Sequence, residues 1–443
     1  MRIPSYVRKV VARLRAAGYE AFPVGGAVRD LLLGRRSADW DVTTNARPEQ
    51  TGKLFAHTVP TGLQHGTVCV LVGRQAVEVT TYRGDIGYSD GRHPDQVVFL
   101  DSLAEDLKRR DFTINAMALD LDSGRIIDPF GGRRDLRRRL IRAVGDADKR
   151  FAEDGLRPLR AVRFAGVLDF SIEKKTFAAI DRARDTFRQV APERIQQELV
   201  KMLAARRADR AVELLRKSGL LAEILPELLP GVGFAQNSFH RHDVYRHTLA
   251  CLRHAHGDGV FKLAVLLHDV GKPQVAEGEP GQRTFYRHEQ VSAEMAGRIM
   301  RRLRFANRDR ERVVALIKNH MFHYEPGWTD GAVRRLVRRA GVQLLDELWE
   351  LRRADAWGRG PGLRAALANL RQLQARVEEV LAEDAALKVS DLAIDGNDVM
   401  RVLGCPPGPQ VGQVLERLLE FVLDDPQLNQ RRRLLKLVRE CGR

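Results

Sequence analysis

The chain has 443 residues, too many for one ordinary core and suggestive of roughly three domains. Lys and Arg total 74 against 58 Asp and Glu, a net charge of +16 that argues for a polyanionic partner, most simply a nucleic acid. The four cysteines (Cys69, Cys251, Cys405 and Cys441) are scattered without a CxxC pair, which argues against disulfides or a zinc knuckle. They fit a reducing, cytoplasmic setting, and no apolar run approaches a membrane span.

The first residues, "MRIPSYVRKVVARLRAAGYE", predict an amphipathic helix with Val7, Val10, Val11 and Leu14 on one face, without the continuous apolar core of a signal peptide. Residues 20–130 alternate short apolar runs with turn signals: "EAFPVGG", "TVCVLV", "AVEVTTY", "VVFL", "TINAMALDL" and "GRIIDP". These predict strands of a mixed sheet, with helices near 27–33, 47–55 and 102–110. From about 145 onward helical periodicity is almost uninterrupted, with a Pro/Gly-marked break at "LPELLPGVG" (225–233). Near the end, Val411, Val414, Leu415, Leu418, Leu419 and Val422 form a core-facing stripe before the basic "RRRLLKLVR".

"VGGAVRDLLLGR" predicts a strand, a Gly-Gly turn and a helix closed by Gly34. Gly25 and Gly26 admit a close ligand, and Arg29 in the first turn adds a charge-assisted contact to phosphate. "DWD" follows, and on a strand Asp39 and Asp41 point the same way. Two facing carboxylates repel unless a cation lies between them, and Mg²⁺ against a triphosphate fits oxygen ligands with open positions. Glu78, in the strand-like "AVEVTTY", is the candidate third carboxylate, able to deprotonate or orient an attacking hydroxyl.

Two further stretches, "EDLKRRDFTINAMALD" and "RFAEDGLRPLRAVRFAGVLDF", complete a pattern that resembles the class II tRNA nucleotidyltransferases, the CCA-adding enzymes of the polymerase β superfamily. The match runs in order through "GGAVRD", "DWD", "RRDFTINA", "IDPFGGRRDL", "EDGLRPLRAVRFA" and "PERIQQEL". The residues also carry their own chemistry. Glu153, Asp154 and Arg157 are expected to begin a helix that Arg160 and Arg163 continue, with Asp154, Arg157 and Arg160 sharing a broad face. A carboxylate accepts from an exocyclic amino group and a guanidinium donates to an unprotonated ring nitrogen, so Asp154 and Arg157 suit cytosine and adenine. Uracil and guanine present the opposite polarity. Arg110, Arg160 and Arg163 would clamp phosphates or brace the base-reading pair. The plainer alternative is a salt-bridged helix with Glu153 and Arg157 at i+4.

"HDVYRHTLACLRHA", "LAVLLHDVGKP", "FYRHEQVSA", "IKNHMFHY" and "LRRADAWGR" together resemble the HD phosphohydrolase superfamily. By that resemblance His247, His268, Asp269 and Asp355 are metal ligands, and His288 and His320 hold a second metal or contact phosphate. Lys272 would stabilise phosphate charge. Ni²⁺, Mn²⁺, Co²⁺ or a similar divalent transition metal suits such ligands.

The expected architecture is α+β: a polymerase β-like mixed-sheet head (1–145) and a helical nucleotide-selecting, tRNA-binding neck and body (146–230). An all-α HD domain (231–385) and a helical, tRNA-binding tail (386–443) follow. The resemblance implies template-independent addition of C and A to the 3′ end of tRNA from CTP and ATP. By the same resemblance, in which CC-adding forms shorten this loop, the full-length stretch "TYRGDIGYSDGRHPDQVVF" favours a chain able to add A. An A-adding or CC-adding specialist, a bacterial poly(A) polymerase and a non-catalytic RNA-binding protein are the alternatives.

Overall fold

The helix read from the first residues forms as α1 (Ser5–Ala16), with Val7, Val10, Val11 and Leu14 all buried. It covers one face of a seven-stranded sheet made of β1 (Ala21–Val24), β2 (Asp41–Thr44), β3 (Thr58–Gly62), β4 (Thr67–Val72) and β5 (Gln75–Thr81), completed by two later short strands. A separate antiparallel pair, β6 (Arg83–Ile86) and β7 (Gln96–Phe99), precedes those two, β8 (Ala118–Leu119) and β9 (Ile126–Ile127). The strand order is β3-β4-β5-β2-β1-β8-β9, antiparallel except where β2 runs parallel to β5. The helices expected between strands form as α2 (Gly26–Leu32), α3 (Pro48–Leu54) and α4 (Leu103–Lys108). The computed structural model describes residues 3–37, 39–62, 66–86, 96–383 and 386–441. The "YSDGRHP" part (88–94) of the stretch that favours A addition lies wholly outside these residues.

Strand alternation decides where the chemistry goes. Val42, Val70, Val77 and Val79 are buried in the core beneath α1. Their neighbours Asp41, Thr43 and Glu78 therefore emerge on the opposite face. Parallel register sets Asp41 directly beside Glu78. Asp39 precedes β2 instead of lying on it, so strand spacing alone does not explain its direction.

Beyond the sheet come α5 (Gly132–Arg137), β10 (Leu140–Ile141), α6 (Ala147–Glu153), α7 (Arg157–Leu168) and β11 (Ser171–Ile172). Strand β11, which pairs in parallel with β10, interrupts the helical pattern expected after 145. A second departure bears on the site. Asp154 does not belong to the helix of Arg157; it is an extended residue closing α6, and α7 restarts at Arg157 with Pro158 in its first turn. Proline suits a first turn because its missing N–H has no intrahelical partner there.

The chain parts into two units, residues 1–226 and 227–443, within the break expected at 225–233. Residues 1–145 and 146–226 lie in the first unit together. The described part of the second unit is helical. Its last helices bury the expected stripe in a core with Val399, Leu434 and Val438. Some of the arginine excess is neutralised internally: Arg335 and Arg338 pair with Glu416, Glu420 and Asp424. Arg431 pairs with Asp398.

Gly132 opens α5 against the turn Thr113–Asn115, where a Cβ would overlap the Thr113 carbonyl oxygen and sit 2.9 Å from Met117 Sδ. Gly132→Ala should destabilise the first unit by about 1–3 kcal/mol in urea unfolding. Unchanged stability would contradict so close an approach.

Candidate functional site

A cavity of about 770 Å³ opens over the sheet face that carries Asp41 and Glu78. Asp39, Asp41, Glu78, Gly25, Gly26, Arg29, Arg110, Asp154, Arg157, Arg160 and Arg163 all line it. Burial raises the Asp41 carboxyl above its ordinary range, Arg110 opposes that, and Asp39 adds to it. Glu78 is raised by burial and then by Asp41 and Asp39. The three acids thus form one electrostatic cluster with more negative charge than Arg110 offsets, which a divalent cation on Asp39 and Asp41 would relieve.

Gly25 is the glycine that the geometry requires. It has φ 75°, and a Cβ there would lie 2.8 Å from Arg110 Nη1 and 3.6 Å from Asp41 Oδ2. A Cβ at Gly26 would meet nothing nearer than Arg29 Nη2 at 3.6 Å, an ordinary contact. Gly25 lets the Arg110 guanidinium sit over the turn beside the acids.

A buried chain of polar groups supports the arginines. Arg29 Nη1 donates to Asn115 Oδ1 at 2.8 Å, and Asn115 Nδ2 donates to Asp111 Oδ1 at 3.0 Å. Asp111 Oδ2 accepts from Arg160 Nε and Nη2 at 2.9 and 2.6 Å. Glu198 accepts from Arg163, whose guanidinium stacks on Phe164 at 4.0 Å. Burial opposes the Asp111 charge, yet Arg160 and Asn115 bring it down to about 2. Asp111, Asn115 and Glu198 were absent from the sequence reading, although "RRDFTINA" and "PERIQQEL" contain all three.

Asp154 and Arg157, the pair expected to read the base, are braced. Asp154 Oδ1 accepts the Leu156 N–H at 3.0 Å, and Oδ2 accepts from Arg194 Nη2 at 3.0 Å. Arg157 Nη1 donates to Glu153 Oε2 and the Arg150 carbonyl at 2.6 and 2.8 Å, while Nη2 donates to the Arg109 carbonyl at 3.0 Å. The i+4 pair offered as the plainer alternative does form, and it fixes the guanidinium while leaving Nε outside these bonds. Between them Asp154 and Arg157 present an acceptor and a donor to the same cavity.

In the second unit, five helices converge on a buried cluster. His247 lies on Val244–His254, His268 caps Gly259–Leu267, and His288 begins His288–Arg302. His320 caps Asn307–Asn319, and Asp355 lies on Leu345–Arg359. Asp269 Oδ2 is 3.2 Å from the Nε2 atoms of both His247 and His268. Asp269 Oδ1 is 3.3 Å from His288 Nε2 and 3.9 Å from His320 Nε2. Asp355 Oδ1 lies 3.3 Å from His247 Nε2 and 4.0 Å from His268 Nε2. Each of His268, His288 and His320 directs Nδ1 at the carbonyl three residues earlier, at 2.6–2.8 Å. That bond fixes the tautomer with a free Nε2 facing inward, as metal ligation requires. His268 Nε2 and His288 Nε2 are buried without a hydrogen-bond partner, so these residues fit a metal.

Lys272 Nζ sits 2.7 Å from Asp269 Oδ2 and donates to Gln236 Oε1 at 2.8 Å. Arg352 and Arg359 both pair with Asp355 Oδ2. His240 meets the His247 ring edge-on at 5.2 Å. Burial, then Lys272 and His247, push His240 down to about 3 and keep it neutral. The sequence reading missed His240, both arginines and Cys251. Cys251 was legible as the residue four places after His247 on one helix, where side chains share a face.

The fold and cavity define a nucleotidyltransferase head of the polymerase kind, joined in one chain to an HD-type cluster. Three family models match: "Poly A polymerase head domain" over residues 21–142, "Probable RNA and SrmB-binding site of polymerase A" over 169–231, and "HD domain" over 244–359. A CCA-adding enzyme of Geobacillus stearothermophilus is 36% identical over 440 residues, covering 98% of this chain and 96% of that one. A CCA-adding enzyme of Lactobacillus helveticus is 53% identical over 193 residues, 44% of this chain and 48% of that protein. The crystal structure of a Bacillus stearothermophilus CCA-adding enzyme in complex with CTP superposes with TM-score 0.75 and 30% identity, over 99% and 98% of the two chains. A Thermotoga maritima CCA-adding enzyme complexed with tRNA shares the fold at 20% identity and TM-score 0.58, over 99% and 96% of the chains. The chain belongs to the CCA-adding enzyme family. Among the described residues no helix is long and apolar enough to cross a membrane.

Asp111 has a pH signature. Its folded-state carboxyl, at about 2, is depressed from 3.8. The stability it contributes is therefore complete above about pH 4 and lost as pH falls through about 2. Asp111→Asn should cost about 3–5 kcal/mol at neutral pH by leaving Arg160 without its main counter-charge. Urea unfolding should show that deficit shrinking below about pH 4. A deficit independent of pH would contradict the ionised pair.

Proposed function

We propose that the head extends the 3′ end of tRNA with C and A, without a nucleic-acid template, taking CTP and ATP as substrates. The observation that carries this reading is one cavity that joins the three acids to a braced acceptor–donor pair. Kinship with full-length CCA-adding enzymes, one of them solved with CTP, supports it.

The terminal 3′-oxygen attacks the α-phosphorus of the incoming nucleotide, the bond to the β-phosphate bridging oxygen breaks, and pyrophosphate leaves. Asp39 and Asp41 would hold Mg²⁺, which would activate the attacking oxygen and neutralise charge on the leaving group. Glu78, its carboxyl raised by burial and its acidic neighbours, is placed to orient the hydroxyl or take its proton. Asp154 accepts from the amino group of cytosine or adenine, and Arg157 donates to the adjacent ring nitrogen. Uracil and guanine would set carbonyl against carboxylate and N–H against guanidinium, which costs more than a missing contact. Arg29, Arg110, Arg160 and Arg163 supply positive charge for the triphosphate. The expected division of labour is 1–145 for chemistry, 146–230 for base selection and tRNA, 231–385 for the HD centre, and 386–443 for tRNA backbone contact. A charge-based grip of this kind is sequence-independent.

The HD centre is proposed as a phosphohydrolase acting on phosphoesters of RNA ends. His247, His268, Asp269 and Asp355 would hold a divalent transition metal such as Ni²⁺, Mn²⁺ or Co²⁺, which would supply a nucleophilic water near neutral pH.

Transcripts of tRNA ending before CCA, after C and after CC, incubated with labelled CTP or ATP and Mg²⁺, test the head. All three should be completed to CCA. Incorporation of A into only the CC-ended transcript would make the chain an A-adding specialist, and A tails on any RNA would make it a poly(A) polymerase. No incorporation would sink the proposal. Asp39→Ala should lower incorporation by about 10³-fold or more while sparing tRNA binding. His268→Ala should abolish hydrolysis of a phosphodiester substrate and leave nucleotide addition intact. Loss of both activities would deny that the two centres are separate.

A further inference from the structure

The HD cluster contains a donor that the family resemblance does not assign. Cys251 lies one helical turn after His247 and is fully buried, with Sγ 3.5 Å from His247 Nε2. One donor atom each from His247, Cys251, His268 and Asp355 lies within 4.8 Å of the others. Bonds of about 2.0–2.3 Å arranged tetrahedrally place neighbouring donors about 3.3–3.8 Å apart. The His247–Cys251 edge at 3.5 Å and the His247–Asp355 edge at 3.3 Å match that spacing, and the His268–Asp355 edge at 4.0 Å lies just beyond it.

Two further observations point to a ligand among these atoms. His268 Nε2 is wholly buried and has no hydrogen-bond partner, although a histidine in a settled core would have one. Gly358, inside the helix Leu345–Arg359, faces the pair directly. A Cβ there would overlap Cys251 Sγ and sit 2.9 Å from His247 Cε1 and Nδ1. Glycine is costly within a helix, and here it makes room for sulfur and imidazole side by side.

We propose that Cys251 is a thiolate ligand of the HD centre, adding sulfur beside His247, His268, Asp269 and Asp355 so that the centre selects a thiophilic divalent cation. The inference rests on the reading of this cluster as a metal centre. On coordination a sulfur lone pair binds the cation and the thiol proton passes to solvent. Imidazole and carboxylate alone accept Mn²⁺ readily, whereas sulfur shifts preference toward Zn²⁺, Co²⁺ and Cd²⁺.

The test uses the full chain, stripped with chelator and titrated with Co²⁺ while near-ultraviolet absorption is recorded. Thiolate ligation gives a sulfur-to-cobalt charge-transfer band that imidazole and carboxylate do not. The band should appear in the wild type and vanish in Cys251→Ser, which keeps the side chain's shape and still binds Co²⁺. Cd²⁺ affinity should fall about tenfold or more in Cys251→Ser, with Mn²⁺ affinity nearly unchanged. His268→Ala should lose both the band and the bound cobalt. Cobalt bound in a His268-dependent way without the band, or with a band that survives Cys251→Ser, would overturn the thiolate assignment alone. Absence of His268-dependent cobalt binding would overturn the metal-centre reading and this inference with it.

Discussion

Like charges forced together on one sheet face are the constraint on which the head depends. Asp41 and Glu78 are register partners on parallel strands, and Asp39 joins them from the segment before β2. Taken alone, that arrangement costs free energy in partial burial. Arg110 offsets some of it, held over Gly25 where a side chain would not fit. What remains is a standing demand for a cation and for a substrate that brings its own. The arginines opposite are held by Asp111 and Glu198, two buried counter-charges. Such pre-organisation lowers the cost of meeting charge in the transition state.

The second unit solves the converse problem. There the clustered groups are mostly imidazoles, and backbone carbonyls fix three of their tautomers. The carboxylates are balanced, Asp269 by Lys272 and Asp355 by Arg352 and Arg359. Burial works against the Asp269 charge, but Lys272 holds that carboxyl well below its usual range. One chain thus carries an acid-rich site suited to a hard cation and an imidazole-rich site suited to a softer one.

Much of this was legible in the sequence because it is local. The α1 stripe, the valine alternation beneath it and the ordered motifs need only short-range periodicity, and each candidate residue in the head reaches the same cavity. Asp154 was misplaced because "EDGLRPLRAV" reads as one helix by periodicity. Gly155 packs 2.5 Å, measured from a notional Cβ, from the Thr186 carbonyl, and with Pro158 it breaks the helix in two. That break turns Asp154 toward Arg194. The role of many arginines was illegible for a different reason. Arg335 and Arg338 meet their carboxylates some 80 residues away in sequence, a pairing that charge counting cannot reveal. Gln236 likewise becomes visible only when segments distant in sequence converge, whereas Arg352 and Arg359 lie about one turn either side of Asp355 on its own helix and were legible there.

The central claim is that the head's acids exist to hold a cation against a nucleoside triphosphate. Anomalous diffraction from crystals grown with Mn²⁺ and CTP tests it most directly. The account predicts a manganese peak shared by the Asp39 and Asp41 carboxylates, with the cytosine amino group facing Asp154. Density free of metal at those two acids, with CTP bound elsewhere, would contradict it.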